Sequence, residues 1–379
     1  MMRSHFSFEP GVCYLDAASI TPRPVAGVSA GQVALDASAR PWHRREHKAA
    51  LIEAVRALAA EAIGANESHI ALVNSVSYGM ATAAANVPVR AGRQILLLED
   101  DHPSSSLIWN HTAAASQAAV RVVPRPRSGD WTSAVLTAIE NGPMIDVAVL
   151  PPVHWADGCT LDLERIAPVV RSRGIALIVD ATQAVGVIEL NAPQLDVDFM
   201  MFPAYKWLLG PYGLAFLYAH PRHHEGVTLE QHMGTRKSPA LRRGGSMGDF
   251  SHIEGAVRFD RGERDDEVLM AVAAEGMRLA LHQAPAEKQA LLWTLNDQLV
   301  SSLAGTPYKT FDRAHRSPHI LSIETGAIDV VNLAAELERL SVFVSPRRGF
   351  LRVAPYVYNT PEDVEAFVVA LRSAASSRC

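Results

Sequence analysis

The 379-residue chain contains only three cysteines, Cys13, Cys159 and Cys379. They lie far apart in the sequence, and their number and spacing match neither a disulfide framework nor a zinc knuckle. This scarcity excludes the class of small secreted domains that disulfides hold together. A reducing cytoplasm is therefore the compartment that we expect.

The sequence also lacks long uncharged apolar runs and an excess of one charge. No apolar run reaches the roughly 20 residues of a membrane-spanning helix, and His5, Glu9 and Pro10 interrupt the region where a signal peptide needs an apolar core. The 35 basic and 40 acidic side chains give a net charge of −5, which provides no long-range attraction to nucleic acid or an anionic membrane. We expect a soluble, unexported protein with neither as its partner.

The composition is that of a globular protein, with 48% hydrophobic and 20% charged residues. Apolar segments of strand length alternate with segments whose apolar residues have helical spacing, such as Leu51, Val55 and Leu58. Strands that are apolar throughout indicate a mostly parallel sheet with helices on both faces, so the predicted fold class is α/β. The seven predicted strands are residues 70–73, 94–98, 120–123, 146–150, 175–179, 197–202 and 214–218.

Changes in composition divide the chain into four parts. The prediction is an N-terminal segment (1–25) that packs on the small domain and the functional site, a large domain (26–235), a polar linker or excursion (236–265) and a smaller C-terminal α+β domain (266–379). The last part is predicted to begin with a helix over 266–282 and to contain strands at 320–323, 342–344 and 351–353. Its final helix should start at a capping box, Thr360 to Asp363.

Two short motifs match known sites only weakly. The Gly-Gly-Ser-Met-Gly run at 244–248 has the nucleophile-elbow pattern, but no strand precedes it and no helix follows. The run 43–47 has two histidines at a zinc-protease spacing, but its arginines repel a metal dication. No Gly-x-Gly-x-x-Gly follows a strand. We therefore expect no metal site, no serine hydrolase and no nicotinamide enzyme.

Lysine is scarce as well, and one of the lysines has unusual neighbours. The five are Lys48, Lys206, Lys237, Lys288 and Lys309. Four have polar surroundings in the sequence, whereas Lys206 lies within the largely apolar run 199–210. Desolvation lowers the pKa of an ammonium group, and the free amine is the nucleophile that Schiff-base formation requires. The alternative is a structural lysine at a sheet edge that reaches solvent.

A carboxylate at the end of a predicted strand supports the chemical interpretation of Lys206. The apolar strand 175–179 ends at Asp180, and Gln183 follows one turn later. In open α/β sheets ligands bind at the carboxyl ends of strands. A buried carboxylate there needs a cationic partner, and a protonated pyridine nitrogen is one. Together with a lysine after the next strand, this is the pattern that holds pyridoxal 5′-phosphate (PLP) as an electron sink.

The segments 180–186 and 204–213, Asp-Ala-Thr-Gln-Ala-Val-Gly and Ala-Tyr-Lys-Trp-Leu-Leu-Gly-Pro-Tyr-Gly, resemble the class V aminotransferases. This group of fold-type I PLP enzymes also contains the cysteine desulfurases, and the resemblance runs from residue 14 to residue 360. It implies a large domain with a mostly parallel seven-stranded sheet between helices. It also implies that Lys206 forms the internal aldimine, Asp180 pairs with the ring nitrogen and Gln183 binds the ring hydroxyl.

The same resemblance indicates residues for the rest of the site. His102 matches the histidine that stacks on the cofactor ring, with a helix-capping histidine as the alternative. The segment 74–79, with Val76 and Ser77, would cradle the phosphate through backbone amides and a hydroxyl, although Ser77 could instead be a helix cap. Arg352 matches the arginine that binds the substrate carboxylate, with a surface ion pair as the alternative, and Ala18 lies in the matching N-terminal segment near the substrate.

Four departures from the desulfurase pattern limit this comparison. Pro203 and Tyr205 replace a serine and a histidine, so the Tyr205 hydroxyl would have to serve in the phosphate grip. Trp155 stands where an asparagine contacts the ring. Residues 261–264, Arg-Gly-Glu-Arg, replace a Gly-Thr pair that the neighbouring subunit usually supplies, and the run 345–352 leaves no room for a loop that carries a catalytic cysteine.

We therefore predict a PLP-dependent enzyme that acts on a small amino acid, with transamination as the first hypothesis. Elimination of a carbon–sulfur bond and epimerisation are the alternatives within the family, and a non-catalytic binding protein that keeps the fold is the alternative from another class. A homodimer with its sites at the subunit interface is expected from the resemblance. Because no cysteine lies near 345–352, a persulfide-forming desulfurase is not expected.

Overall fold

The computed structural model describes residues 2–42, 48–237 and 250–376. In chain order its strands are β1 (Cys13–Tyr14), β2 (Ile70–Val73), β3 (Gln94–Leu98), β4 (Ala119–Val123), β5 (Ile145–Leu150), β6 (Ala176–Asp180), β7 (Phe199–Pro203), β8 (Ala215–Ala219), β9 (Lys309–Thr310), β10 (Leu321–Glu324), β11 (Val342–Phe343), β12 (Ser345–Arg347) and β13 (Phe350–Val353). Its helices are α1 (Val25–Ser38), α2 (Lys48–Glu61), α3 (Val76–Asn86), α4 (Pro103–Ala115), α5 (Trp131–Glu140), α6 (Leu163–Ser172), α7 (Ala192–Leu195), α8 (Glu267–His282), α9 (Pro285–Ser302), α10 (Val330–Arg339) and α11 (Pro361–Ser376).

Seven strands form the central sheet in the order β2-β8-β7-β6-β5-β3-β4. The neighbours from β7 through β6, β5 and β3 to β4 pair in parallel, and only β8 runs against its neighbours β7 and β2. The mostly parallel α/β sheet that the sequence predicted is therefore confirmed. Because six of the strands run in one direction, their carboxyl ends meet at one edge of the sheet.

The predicted strands agree with the observed ones to within two residues. The largest difference is at β7, which was expected from residue 197 and begins at Phe199. Asp196 has a positive φ of 51°, and the Asp198 carboxylate accepts a hydrogen bond from the Leu177 amide at 2.9 Å. The turn at Asp196 and this contact of Asp198 come before the strand, so β7 begins two residues later than the apolar pattern predicted.

A second core lies around the four-stranded sheet β12-β13-β10-β9 and the helices α9, α10 and α11. The N-terminal strand β1 pairs in parallel with β11, and Cys13 and Leu15 belong to this core. Thr360 precedes α11, and its amide donates to the Asp363 carboxylate at 3.0 Å, as the predicted capping box requires. The limits of the four parts of the chain remain a prediction.

Helix α8 confirms the prediction of a helix over 266–282. Asp266 caps it by accepting from the Leu269 amide at 2.9 Å. Its buried residues belong to the core of the large sheet, and α8 packs on α1 and α2. Helix α8 also passes close to the segment after β7, where a side chain on Gly276 would lie 2.3 Å from the Leu209 carbonyl oxygen.

The prediction of polar surroundings for Lys288 is wrong. Lys288 is 1% exposed, and its Nζ donates to the carbonyl oxygen of Ala280 in the last turn of α8 at 2.8 Å. Helix α9 begins only three residues after α8 ends, so its first turn lies against that helix end. Burial lowers the pKa of Lys288 to about 8.

The region between β8 and α8 is described for residues 220–237 and 250–266. Its buried Asp260 forms a 2.9 Å ion pair with Arg56 of α2 and accepts from the Leu72 amide of β2 at 2.8 Å. This contact fixes the segment before α8 against the first strand of the sheet. In the described parts of the chain, every helix is too short or too polar to cross a membrane.

Candidate active site

A cavity of about 170 Å³ opens at the carboxyl edge of the large sheet. It brings together residues from α3, from the β3–α4 connection, from β6 and from the segment after β7. Eight residues proposed from the sequence line it: Val76, Ser77, His102, Trp155, Asp180, Gln183, Tyr205 and Lys206. Positions more than 100 residues apart in the chain therefore share one site.

Lys206 lies three residues after the end of β7 and is 7% exposed. Burial, with a smaller contribution from the positive charge of Arg352, lowers its pKa to about 7. The alternative of a lysine that reaches solvent from a sheet edge is wrong, because the side chain points into the protein. At neutral pH a substantial fraction of this amine carries no proton, which is the state a nucleophile or proton acceptor needs.

Asp180 is the last residue of β6 and is also buried. Its Oδ1 accepts from the Thr182 amide at 3.0 Å, and its Oδ2 accepts from the Ser105 hydroxyl in the first turn of α4. Both donors stabilise the ionised carboxylate and fix its orientation. Asp180 therefore presents a negative charge to the cavity in one defined position.

Asp101 is a second buried carboxyl group in the same wall of the cavity. Burial and the negative charge of Asp180 raise its pKa to about 7. Its Oδ1 accepts from the His102 amide at 2.7 Å, whereas its Oδ2 has no hydrogen-bond partner among the described residues. The sequence analysis assigned no role to this residue.

His102 caps a helix and also lines the cavity, while its stacking on a cofactor ring remains a prediction. It is the N-cap of α4, where its Nδ1 accepts from the Ser104 amide at 3.2 Å. Its ring also lines the cavity and meets the Trp155 ring edge to face, with centroids 5.1 Å apart. Because Nδ1 is the acceptor, the neutral form carries its proton on Nε2, and burial lowers the pKa of the imidazole.

The N-terminus of α3 faces the other end of the cavity. Ser75 caps this helix by accepting from the Tyr78 amide at 3.1 Å, so the reading of Ser77 as the cap is wrong. The amides of a helix's first turn have no partners within the helix, and they form a favourable site for an anion. Val76 and Ser77 occupy that first turn and line the cavity.

Tyr205 and Tyr212 form the wall beside this helix end. Their rings stack with centroids 3.8 Å apart and an interplanar angle of 13°. Burial raises the pKa of Tyr205, so its hydroxyl stays protonated at neutral pH. Arg23 donates to the Tyr205 carbonyl oxygen at 3.1 Å and fixes the backbone at this position.

Gln183 lines the cavity but already has partners for most of its amide. Its Nε2 donates to the Ala18 carbonyl oxygen at 3.1 Å, and its Oε1 accepts from Trp207 at 3.0 Å. One amide hydrogen remains for a ligand. Ala18 is fully buried and enters the site through its backbone, which positions Gln183.

Arg352 on β13 adjoins the cavity through Trp155. It is 1% exposed, and its Nη1 donates to the Trp155 carbonyl oxygen at 2.8 Å. Its Nη2 donates to the Ser19 hydroxyl at 2.8 Å and lies 3.4 Å from the Asp16 carboxylate. The alternative of a surface ion pair is wrong, because this pair is buried between the N-terminal segment and β13.

Cys13 and Cys159 lie apart from the cavity. Cys13 and Cys159 are buried, and neither lines it. Burial raises the pKa of both thiols, that of Cys13 to about 12. Cys379 and the runs 43–47 and 244–248 lie outside the described residues, and within the described parts of the chain no cluster of three or more metal-binding side chains occurs.

Several residues of the site were not predicted from the sequence. Ser105, Asp101 and Tyr212 lie in segments that had been identified, but no role was given to them. Ser105 is one helical turn after His102, and this spacing places both on the face of α4 that meets Asp180. The spacing of Ser105 from His102 was available in the sequence, whereas the contact of Ser105 with Asp180 and the stacking of Tyr212 on Tyr205 depend on tertiary packing.

The fold and the cavity define a fold-type I PLP-dependent enzyme. The chain belongs to the aminotransferase class-V family, whose model matches residues 13–367. Among curated proteins it is 25% identical to isopenicillin N epimerase from Streptomyces clavuligerus, over 97% of this chain and 96% of that protein. It is also 25% identical to the uncharacterized aminotransferase YcbU of Bacillus subtilis, over 80% of this chain and 79% of that protein.

Solved structures show the same fold. The cysteine desulfurase CsdA from Escherichia coli has a TM-score of 0.86 at 20% identity, with 99% of this chain and 98% of that chain covered. A C-DES variant with glycine covalently linked to PLP has a TM-score of 0.86 at 19% identity, with 97% and 98% covered. The aminotransferase class-V family supports PLP as the cofactor.

The residues of the cavity fit this cofactor. A buried amine with a lowered pKa, a fixed carboxylate and the first turn of helix α3 line one space, and each matches a chemical group of PLP: the aldehyde, the pyridine nitrogen and the phosphate. The protein is thus a PLP-dependent enzyme, and the family implies an amino-acid substrate.

Proposed function

We propose that the enzyme transfers the amino group of a small amino acid to a keto acid. The observation that carries this proposal is the position of Lys206, a buried amine with a pKa of about 7 that shares a cavity with the fixed carboxylate of Asp180. PLP, when bound, withdraws electrons from the substrate α-carbon and makes its substituents labile.

Each remaining residue has a proposed part in holding the cofactor. Asp180 would bind the pyridine nitrogen, and the free amide hydrogen of Gln183 would bind the ring hydroxyl. His102 would lie against the ring, with Trp155 beside it. The first-turn amides of Val76 and Ser77 and the hydroxyls of Ser77 and Tyr205 would bind the phosphate.

Lys206 would then act twice, first as the group that carries the cofactor and afterwards as the acid–base group. A pKa of about 7 allows the released amine to accept a proton from the substrate α-carbon and to donate it again at neutral pH. Arg352 would bind the substrate α-carboxylate and so orient the α-carbon toward the amine. The two residues lie near each other, since the positive charge of Arg352 contributes to the lowered pKa of Lys206.

The reaction is tested with purified protein reconstituted with PLP. A visible absorbance band should appear with the wild type and with Lys309→Ala, an exposed control lysine, and should be absent from Lys206→Ala.

A panel of amino acids with a keto-acid acceptor is then analysed by mass spectrometry. Amino transfer to the acceptor supports the proposal; an α-keto product with a released leaving group would identify a lyase, and inversion alone an epimerase. Absence of the band at saturating PLP would favour a binding protein.

A persulfide-forming desulfurase is not proposed. That reaction needs an exposed thiolate near the substrate sulfur, whereas Cys13 and Cys159 are buried away from the cavity and their thiol pKa values are raised. Turnover should persist in a variant without Cys13, Cys159 and Cys379. A persulfide on Cys159 of the wild type would contradict this expectation.

We also propose that the protein is a cytoplasmic homodimer. Tyr212 lines the cavity yet is 58% exposed, and Leu107 on the neighbouring helix α4 is 68% exposed. Apolar side chains at the mouth of a site are typical of a surface that a second subunit covers. Analytical ultracentrifugation combined with activity at increasing dilution tests this; a fully active monomer would contradict it.

A further inference from the structure

The hairpin β12–β13 carries a second arginine beside Arg352. Ser345 pairs with Arg352 and Arg347 pairs with Phe350 across the two strands. Directly opposed residues lie on the same face of a sheet, as do residues two apart in one strand. Arg347 and Arg352 are therefore diagonal neighbours on the face that meets the large domain.

Both arginines converge on one hydroxyl group. The Nη2 atoms of Arg347 and Arg352 donate to the Ser19 Oγ at 2.9 and 2.8 Å. Ser19 in turn donates to the Asp16 carboxylate at 2.9 Å. Two guanidinium groups thus lie a few ångströms apart, and each retains N–H donors for a ligand. The Nε of Arg352 is buried and has no partner among the described residues.

The charges of this cluster do not cancel. Asp16 forms an ion pair with Arg352 at 3.4 Å, while no carboxylate of the described residues is within ion-pair distance of Arg347. The nearby Arg348 is neutralised separately, by Asp100 at 3.4 Å. Arg347, Arg352 and Asp16 together therefore carry one net positive charge. The repulsion reaches the site, because the charge of Arg347 contributes to the lowered pKa values of Lys206 and His102.

We infer that Arg347 and Arg352 together bind one carboxylate, the α-carboxylate of the substrate, and that Asp16 sets this limit of one negative charge. This inference rests on the proposed function and names its substrate class: amino acids whose side chain is not acidic. A second acid group would bring an uncompensated negative charge into a partly buried site, where it costs more than in water. Arg347 would touch the substrate, and Asp16 would act through the arginines as a specificity-determining residue.

The test uses the PLP-loaded enzyme and two simple ligands, propionate and succinate, measured by calorimetry at constant ionic strength. Propionate should bind the wild type more tightly than succinate. Arg347→Gln should weaken propionate binding about 10- to 100-fold, because charge-assisted hydrogen bonds are lost. Arg347→Lys should lose less, since it keeps the charge without the planar fork. Arg348→Gln, whose side chain pairs with Asp100, is the matched control and should bind propionate as the wild type does.

Asp16→Asn should change the affinity for succinate in the opposite direction. Removing the negative charge leaves two uncompensated guanidinium groups, so succinate should gain at least tenfold in affinity relative to propionate. A purely structural role of Asp16 would weaken both ligands alike. The inference is overturned if Arg347→Gln leaves propionate binding unchanged, or if the wild type prefers succinate. Because these are binding measurements, the expected pattern without turnover of any amino acid would reject the proposed reaction and retain the carboxylate site.

Discussion

Two buried lysines show how the surroundings of one functional group decide its use. Lys206 and Lys288 are 7% and 1% exposed, and burial lowers both pKa values, to about 7 and about 8. Lys288 lies between two helices and donates to the last turn of α8. Lys206 lies in a cavity whose walls hold Asp180 and His102. A low amine pKa alone therefore does not identify a catalytic lysine; the cavity and its fixed carboxylate do.

The largest expected effect separates the two lysines directly. Lys206→Ala should lower turnover by about 10³-fold or more, because the amine that carries the cofactor and moves the proton is lost. Lys288→Met should retain most of the activity. Steady-state assays of both variants, with circular dichroism to establish folding, test the comparison. Comparable losses in two folded variants would show that the cavity does not distinguish these amines.

The second largest effect is expected at Asp180, the carboxylate that shares the cavity with Lys206 and has no counterpart among the described contacts of Lys288. Asp180→Asn preserves the size of the side chain but removes its negative charge, so turnover should fall about 100-fold, as expected for a lost charge-assisted contact. The free energy of unfolding should change far less. Turnover is measured by steady-state assay and the free energy of unfolding by urea denaturation. Near-normal turnover would exclude Asp180 as the partner of the pyridine nitrogen.

A smaller effect is expected at Ser105, which donates to Asp180. Ser105→Ala should lower turnover about threefold to tenfold, because one neutral donor to the carboxylate is removed. Ser104→Ala is the control, since Ser104 contributes only its backbone amide to His102. Turnover of Ser105→Ala equal to that of Ser104→Ala would show that the Ser105 hydroxyl does not support Asp180.

The smallest effect is on stability and belongs to Lys288. Its folded-state pKa of about 8 lies below the ordinary value of 10.5. The unfolded chain therefore binds more protons between these pH values, and the free energy of unfolding contributed by Lys288 rises with pH across that window. Lys288→Met lacks this contribution, so its stability relative to the wild type should fall from pH 8 to pH 10.5. Urea denaturation of both proteins at several pH values measures the difference in their free energies of unfolding. A difference that does not change with pH would contradict the lowered pKa of Lys288.

The sequence by itself determined the parallel sheet and the pair of residues that identify the chemistry. Apolar strands and helical spacing are local patterns, and the strand ends place Asp180 and the segment with Lys206 at one edge of any parallel sheet. Cavity residues such as Val76, His102 and Trp155 followed from their positions after strands and from the family resemblance.

Only the tertiary structure decided which polar groups pair and which stay free. The burial of Lys288 depends on how α9 folds back on α8, and the contact of Ser105 with Asp180 joins residues 75 positions apart. The shared contact of Arg347 and Arg352 with Ser19 joins positions more than 300 residues apart. Packing between distant segments determines which of these groups come within hydrogen-bonding distance. Local sequence patterns carry no information about that packing.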